Sequence, residues 1–141
     1  MISTFSQAKN LETILIKGDF IVIDGGMENS TLQLRNEYGG VKDIKLKNNG
    51  KFAFEAIKDH NYVLTFMKKG YIKKEIMIDT HVEGDVQIKD VEFAVKLFPQ
   101  ASDSAKIVYN QPVGMIKFIN GTEFVVEYNY AAAMLPTRVE I

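Results

Sequence analysis

Apolar and polar side chains alternate with a period of two along most of this chain. The alternation is densest between Asn48 and Thr80. Phe52, Phe54 and Ala56 alternate with Ala53 and Glu55, and Tyr62, Leu64 and Phe66 with Val63, Thr65 and Met67. Ile72, Ile76 and Ile78 share one parity, with Lys73, Glu75 and Asp79 on the other. Side chains on a strand point to opposite faces in turn, so each run predicts a strand with one apolar and one wetter face. Turn residues separate the runs. Asn49-Gly50 tolerates the positive φ of a tight turn, Asp59-His60-Asn61 is a polar break, and Gly70 suits a backbone that resists a Cβ.

The rest of the chain reads as more of the same. Residues 1–11 predict a frayed N-terminus. The β-branched run from Leu11 to Ile23 is divided by Gly18-Asp19, which predicts two short strands or one strand bent at a bulge. Asp24-Gly25-Gly26 ends it. Leu32 and Leu34, then Ile44 and Leu46, mark two half-buried strands around the Tyr38-Gly39-Gly40 turn. Val91, Phe93, Val95 and Leu97 face one way and Glu92, Ala94 and Lys96 the other, the cleanest alternation present. Phe98-Pro99 stops that strand, because proline cannot donate to a ladder. Residues 115–119 and 122–128 around Asn120-Gly121 predict a hairpin with a type I′ turn. Residues 129–135, rich in alanine and ended by Pro136, predict a short helix. Strands recurring about every 8–12 residues, with no amphipathic helices between them, predict an all-β sandwich rather than a parallel α/β fold.

Composition narrows the function. At 141 residues the chain fits one domain, able to bury a core without a staple. The formal net charge of −1 argues against a general nucleic-acid binder. The absence of cysteine removes disulfides, thiolate catalysis and Cys-based zinc sites together. No apolar run approaches the roughly 18 residues of a transmembrane helix. The first ten residues lack the basic and apolar regions of a signal peptide, so export implies a leader replaced by Met1.

The motifs also resemble a known family. Gly50-Lys51-Phe52 with Phe54, then Asn61-Tyr62-x-Leu64-x-Phe66, Lys69-Gly70-Tyr71 and Ile76-x-Ile78-x-Thr80 resemble the carboxypeptidase regulatory-like domain. The likeness covers residues 12–98. Near its start Gly18 and Ser30 stand in for a Gly…Pro-small pattern, and the proline is absent. Pro112-Val113-Gly114-x-Ile116-x-Phe118 and the segment Phe124 to Tyr130 look similar to tails that follow this domain in short envelope proteins of Bacteroidetes-type bacteria. The resemblance implies a transthyretin-like (prealbumin-like) seven-stranded β-sandwich over 12–98, extended by a C-terminal hairpin region over 99–141. It implies no catalysis and an envelope setting: periplasm, outer membrane or cell exterior if a leader was removed.

Candidate chemistry is sparse. His60 and His81, the only histidines, read as loop residues rather than a metal site or a triad member. Asp24, Glu28, Asp79, Glu83 and Asp85 sit near strand ends, where a calcium site is the sharp reading and solvated turns the plain one. Lys68, Lys69, Lys73 and Lys74 surround Tyr71, offering a cationic patch for an acidic glycan or a solvated corner with Tyr71 packed inward. Phe93, Phe98, Tyr109, Phe118, Phe124, Tyr128 and Tyr130 offer a sugar platform or, more simply, core and tail packing. No acid precedes Gly70-Tyr71 as in modules that form Lys–Asn crosslinks, so no isopeptide bond is expected. The expectation is therefore a non-enzymatic binding module of the bacterial envelope or surface, without catalytic residues, metal or cofactor. Its partner would be a protein or an envelope glycan, and edge strands would allow self-association. The rivals are a carbohydrate-binding module, with calcium assisting, and a hydrolase acting through His60 or His81.

Overall fold

The computed structural model of the chain describes residues 12–88, 90–100, 106–129, 132 and 134–137, with backbone alone at 106 and 134–137. The expectations for residues 1–11 and for Tyr130 lie outside these. The described residues form eleven strands: β1 (Thr13–Val22), β2 (Ser30–Asn36), β3 (Val41–Ile44), β4 (Lys51–Ile57), β5 (Asn61–Lys68), β6 (Lys74–Asp79), β7 (Asp90–Leu97), β8 (Lys106–Tyr109), β9 (Gly114–Phe118), β10 (Phe124–Tyr128) and β11 (Met134–Thr137). Among the described residues no helix is long and apolar enough to cross a membrane. A three-stranded sheet ordered β4-β1-β7 faces a six-stranded sheet ordered β10-β9-β6-β5-β2-β3, and β8 pairs with β11 in a ribbon. Both larger sheets are mixed, since β1–β7 and β6–β9 are parallel pairs.

The inward rows are those the alternation marks. Ile14, Ile16 and Phe20 of β1, Phe52, Phe54 and Ala56 of β4, and Val91, Val95 and Leu97 of β7 are buried against Leu32, Leu34, Tyr62, Leu64, Phe66, Ile76, Ile78 and Ile116. Each buried Val, Leu, Ile or Phe among them contributes about 1.5–3 kcal/mol by leaving water. At the centre of the interior Phe66 meets both Phe20 and Phe52 edge-on, with centroids 5.2 and 5.8 Å apart. Thr80 is a buried polar residue whose hydroxyl donates to Ile57 O at 2.6 Å and accepts from the His60 N–H at 2.9 Å. It ties the β4–β5 turn to the end of β6.

Three sequence expectations need correcting. Strand count is not among them: β1 to β7 fall within residues 12–98, and β9 of the C-terminal hairpin region extends the larger sheet by pairing with β6. The expected helix over 129–135 is replaced where Met134 and Leu135 open β11, opposite Tyr109 and Val108. A ladder partner outweighs alanine's small helical preference. Among the described residues of this segment, the Ala132 N–H donates to Asn129 O at 3.1 Å, which closes one turn. Next, β1 is one continuous strand. Its register with β4 and β7 runs through Gly18 without a slip, so there is neither a break nor a bulge. Last, β9 and β10 are joined by a five-residue loop, since Phe118 pairs with Phe124, and neither Asn120 nor Gly121 has positive φ. Gly121 serves close approach instead. A Cβ there would lie 2.2 Å from Asp85 O, and its carbonyl accepts from the N–H groups of Gln87 and Ile88 at 2.7 and 2.9 Å. Gly50, by contrast, has φ +86°, as the turn chemistry requires.

Candidate binding cleft

Six strands cannot be covered by three. β7 is the outer strand of the smaller sheet, so the inward face of β9 and β10 projects beyond it. Pairing places Val126 beside Ile116 and Tyr128 beside Gly114 on that face. Ile116 lies under the smaller sheet and is fully buried, whereas Val126 is 41% and Tyr128 72% exposed. The step leaves a mostly apolar cleft of about 600 Å³, walled on one side by Phe93 and Val95 of β7 and on the other by Ile116 and Val126. Its size falls within the usual range of small-ligand sites.

The rim is set by the chain after β7. Ile72 N–H donates to Phe98 O at 2.9 Å and Gln100 N–H to Gly70 O at 2.8 Å, which fixes Phe98 beside the entry to β6. The Gln100 side chain then clamps β8: its Nε2 donates to Ile107 O at 2.7 Å and its Oε1 accepts from Ile107 N–H at 2.9 Å. Tyr109, two residues on, reaches the cleft. Between these rings stands Lys74, with Nζ 5.0 Å from the Phe98 centroid and 5.9 Å from that of Tyr109. Nζ donates to Lys96 O at 2.7 Å. Burial pulls the Lys74 pKa below the ordinary lysine value, and the nearby charge of Lys96 adds to this. Among the described residues no acid lines the cleft.

The other sequence candidates are dispersed. Lys68 sits 5.7 Å over the Tyr71 ring and bonds Glu28 O, while the Tyr71 hydroxyl donates to Ile23 O at 2.8 Å. Lys69 and Lys73 are exposed. The expected patch is therefore split, with Tyr71 turned inward and Lys74 in the cleft. Phe93, Phe98, Tyr109 and Tyr128 come together there, whereas Phe118 and Phe124 pack on each other at 6.2 Å. His60 stacks on Tyr62 at 6.1 Å and its Nδ1 lies 2.9 Å from Lys58 O. Among the described residues no three of the histidines and carboxylates are grouped to hold a metal ion. Asp24 takes positive φ in a turn, and Asp85 lies against the β9–β10 loop.

His81 donates from Nδ1 to Asp79 Oδ1 at 2.6 Å beside a shallow depression lined by Asp59, Glu83 and Asn120. That hydrogen bond raises the His81 pKa above its ordinary 6.5; partial burial opposes it, and the charges of Asp79, Asp59 and Glu37 add to it. A raised folded-state value means a contribution to stability present in full below pH 6.5 and lost as pH rises through the raised value. The pair is exposed, so the contribution is small. An NMR titration is expected to place the His81 midpoint above 6.5, and Asp79→Asn to lower it. A midpoint at or below the ordinary value in the unaltered chain would contradict this pairing.

Sequence reasoning missed Lys74 as a residue apart. The signal was present: Lys74 has the parity of Ile72, Ile76 and Ile78, so it stands in an inward row, although Lys42 and Lys68 also share the parity of buried neighbours on their strands. The cleft itself had no signal, because it arises from the unequal widths of two sheets.

No protein-family model matches the chain, and no curated protein matches it. Among solved structures, it is similar to that of a DUF3823 family protein from Parabacteroides merdae ATCC 43184, at a TM-score of 0.42 and 14% identity. The likeness covers 84% of this chain and 60% of that one, so this chain spans less than two thirds of that protein.

Proposed function

We propose that this chain is a non-enzymatic β-sandwich binding module, of the carboxypeptidase regulatory-like and transthyretin-like kind that its motifs resemble, working in the bacterial cell envelope or at its surface. The observation that carries the binding role is the cleft under β9 and β10, concave and apolar, with a cation at its rim. Support for the family reading comes from the motif residues: Gly50 and Gly70 both take positive φ, and Tyr71 anchors its corner to Ile23. The envelope setting rests on the resemblance. A hydrolase is less well supported because, among the described residues, no hydroxyl side chain lines the depression beside His81 and Asp79. A carbohydrate module is less well supported because the cleft walls offer few donors and acceptors to a hydroxyl-rich ligand.

The test uses the isotopically labelled chain and fractionated bacterial envelope extract. A fraction is expected to shift the amides of residues 93–96, 114–116 and 126–128, and Val126→Glu to suppress the shifts. Shifts confined to the His81 end of the sheet, or none with any fraction, would reject the reading.

A further inference from the structure

Lys74 is out of place in an inward row. Ile72, Ile76 and Ile78, which share its parity, are all buried. A lysine there loses hydration, and burial disfavours its charged form. An ammonium has three donors, and the structure assigns one of them to Lys96 O. The Phe98 and Tyr109 rings offer their faces, which compensates a cation in part. Among the described residues no carboxylate pairs with Lys74, although ion pairs engage Lys17, Lys51, Lys58 and Lys117. The second cation at the cleft, Lys96, adds charge of the same sign.

We propose that the cleft binds a small amphiphilic anion, an alkyl or aryl carboxylate. Its carboxylate would accept hydrogen bonds from Lys74 Nζ, and its apolar part would lie between Phe93 and Val95 on one wall and Ile116 and Val126 on the other. The chemistry excludes the neighbouring classes. An organic cation meets two lysines and, among the described residues, no acid. A sugar brings hydroxyls that apolar walls leave unpaired. An uncharged hydrocarbon fills the cleft but leaves the ammonium without a counter-charge. The inference rests on the cleft being the binding site, and it adds the ligand's class.

Decanoate, decanol, decyltrimethylammonium and glucuronate serve as probes, followed by amide shifts and calorimetry at neutral pH. Decanoate is expected to shift the amides of residues 93–96, 114–116 and 126, and to bind about tenfold or more tighter than decanol, the worth of one charge-assisted hydrogen bond. Lys74→Met, which keeps the stem and removes the charge, is expected to abolish the preference for decanoate over decanol. Its thermal unfolding, expected no lower than that of the unaltered chain, shows that the variant is folded. Equal affinity for decanoate and decanol, unchanged decanoate affinity in Lys74→Met, or glucuronate or the cation binding as tightly would overturn the proposal. If decanoate fails while an envelope fraction still shifts the cleft amides, the ligand class is wrong and the binding module stands. If neither shifts them, both fall.

Discussion

Phe66→Ala is expected to lower the unfolding free energy by about 4 kcal/mol, and with it the melting temperature by roughly 15 °C. Phe66 lies on β5, inside the six-stranded sheet, and is fully buried. Its ring is met edge-on by Phe20 of β1 and Phe52 of β4, so one side chain joins the two sheets. Truncation removes the transfer free energy of the ring and leaves a cavity, because backbones fixed by ladders on both sides collapse poorly into it. Urea unfolding is the measurement. The midpoint should fall with little change in slope, since the surface exposed on unfolding is nearly the same. Phe124, half-buried at the far edge of the same sheet, serves as the comparison, and its truncation should cost less than half as much. A loss below about 1 kcal/mol at Phe66 would mean that the two sheets are not packed as a close-fitted interior.

The strands up to Leu97 were legible because burial of one face imposes a period of two that no other element shares. Phe52, Phe54 and Ala56, or Val91, Val95 and Leu97, state their own inward row. Other features depend on partners far along the chain. Ile107 to Tyr109 is too short to alternate, and only its pairing with residues 134–136 makes it a strand. Asn120-Gly121 has the composition of a two-residue turn, yet its glycine answers to Asp85, more than thirty positions earlier. The cleft is further removed still. It needs β9 beside β6 in a parallel pair, which leaves no local sign, and β7 left as the smaller sheet's outer strand. The Lys74 parity was readable, but its meaning was not, since a lysine on an inward row can also end a strand in solvent.

Gly18→Ala separates a reading of the sequence from one of the structure. If Gly18 sat in a bulge with right-handed backbone angles, alanine would be tolerated or even favoured, by reducing the freedom of the unfolded chain, within about 1 kcal/mol either way. The structure gives the residue a different task. β1 runs straight through Gly18, which pairs with Phe52 of β4 on one side and Phe93 of β7 on the other. A Cβ would lie 2.1 Å from Phe93 O and 3.0 Å from the tip of the Phe52 ring, and those two rings meet edge-on at 5.8 Å. Backbone oxygen cannot rotate away as a side chain can, so β7 itself must move. β1 is the strand through which β7 joins its sheet, so the shift has no second ladder to oppose it. The expected loss is about 3 kcal/mol, at the upper end for overpacking, with a fall in melting temperature of roughly 10 °C. Amide exchange should quicken along Asp90–Leu97 more than along β5 or β6, whose ladders are separate. Phe93 and Val95 wall the cleft, so a displaced β7 should also weaken whatever binds there. A neutral or stabilising alanine, with β7 amides protected as before, would mean that Phe93 does not approach β1 this closely.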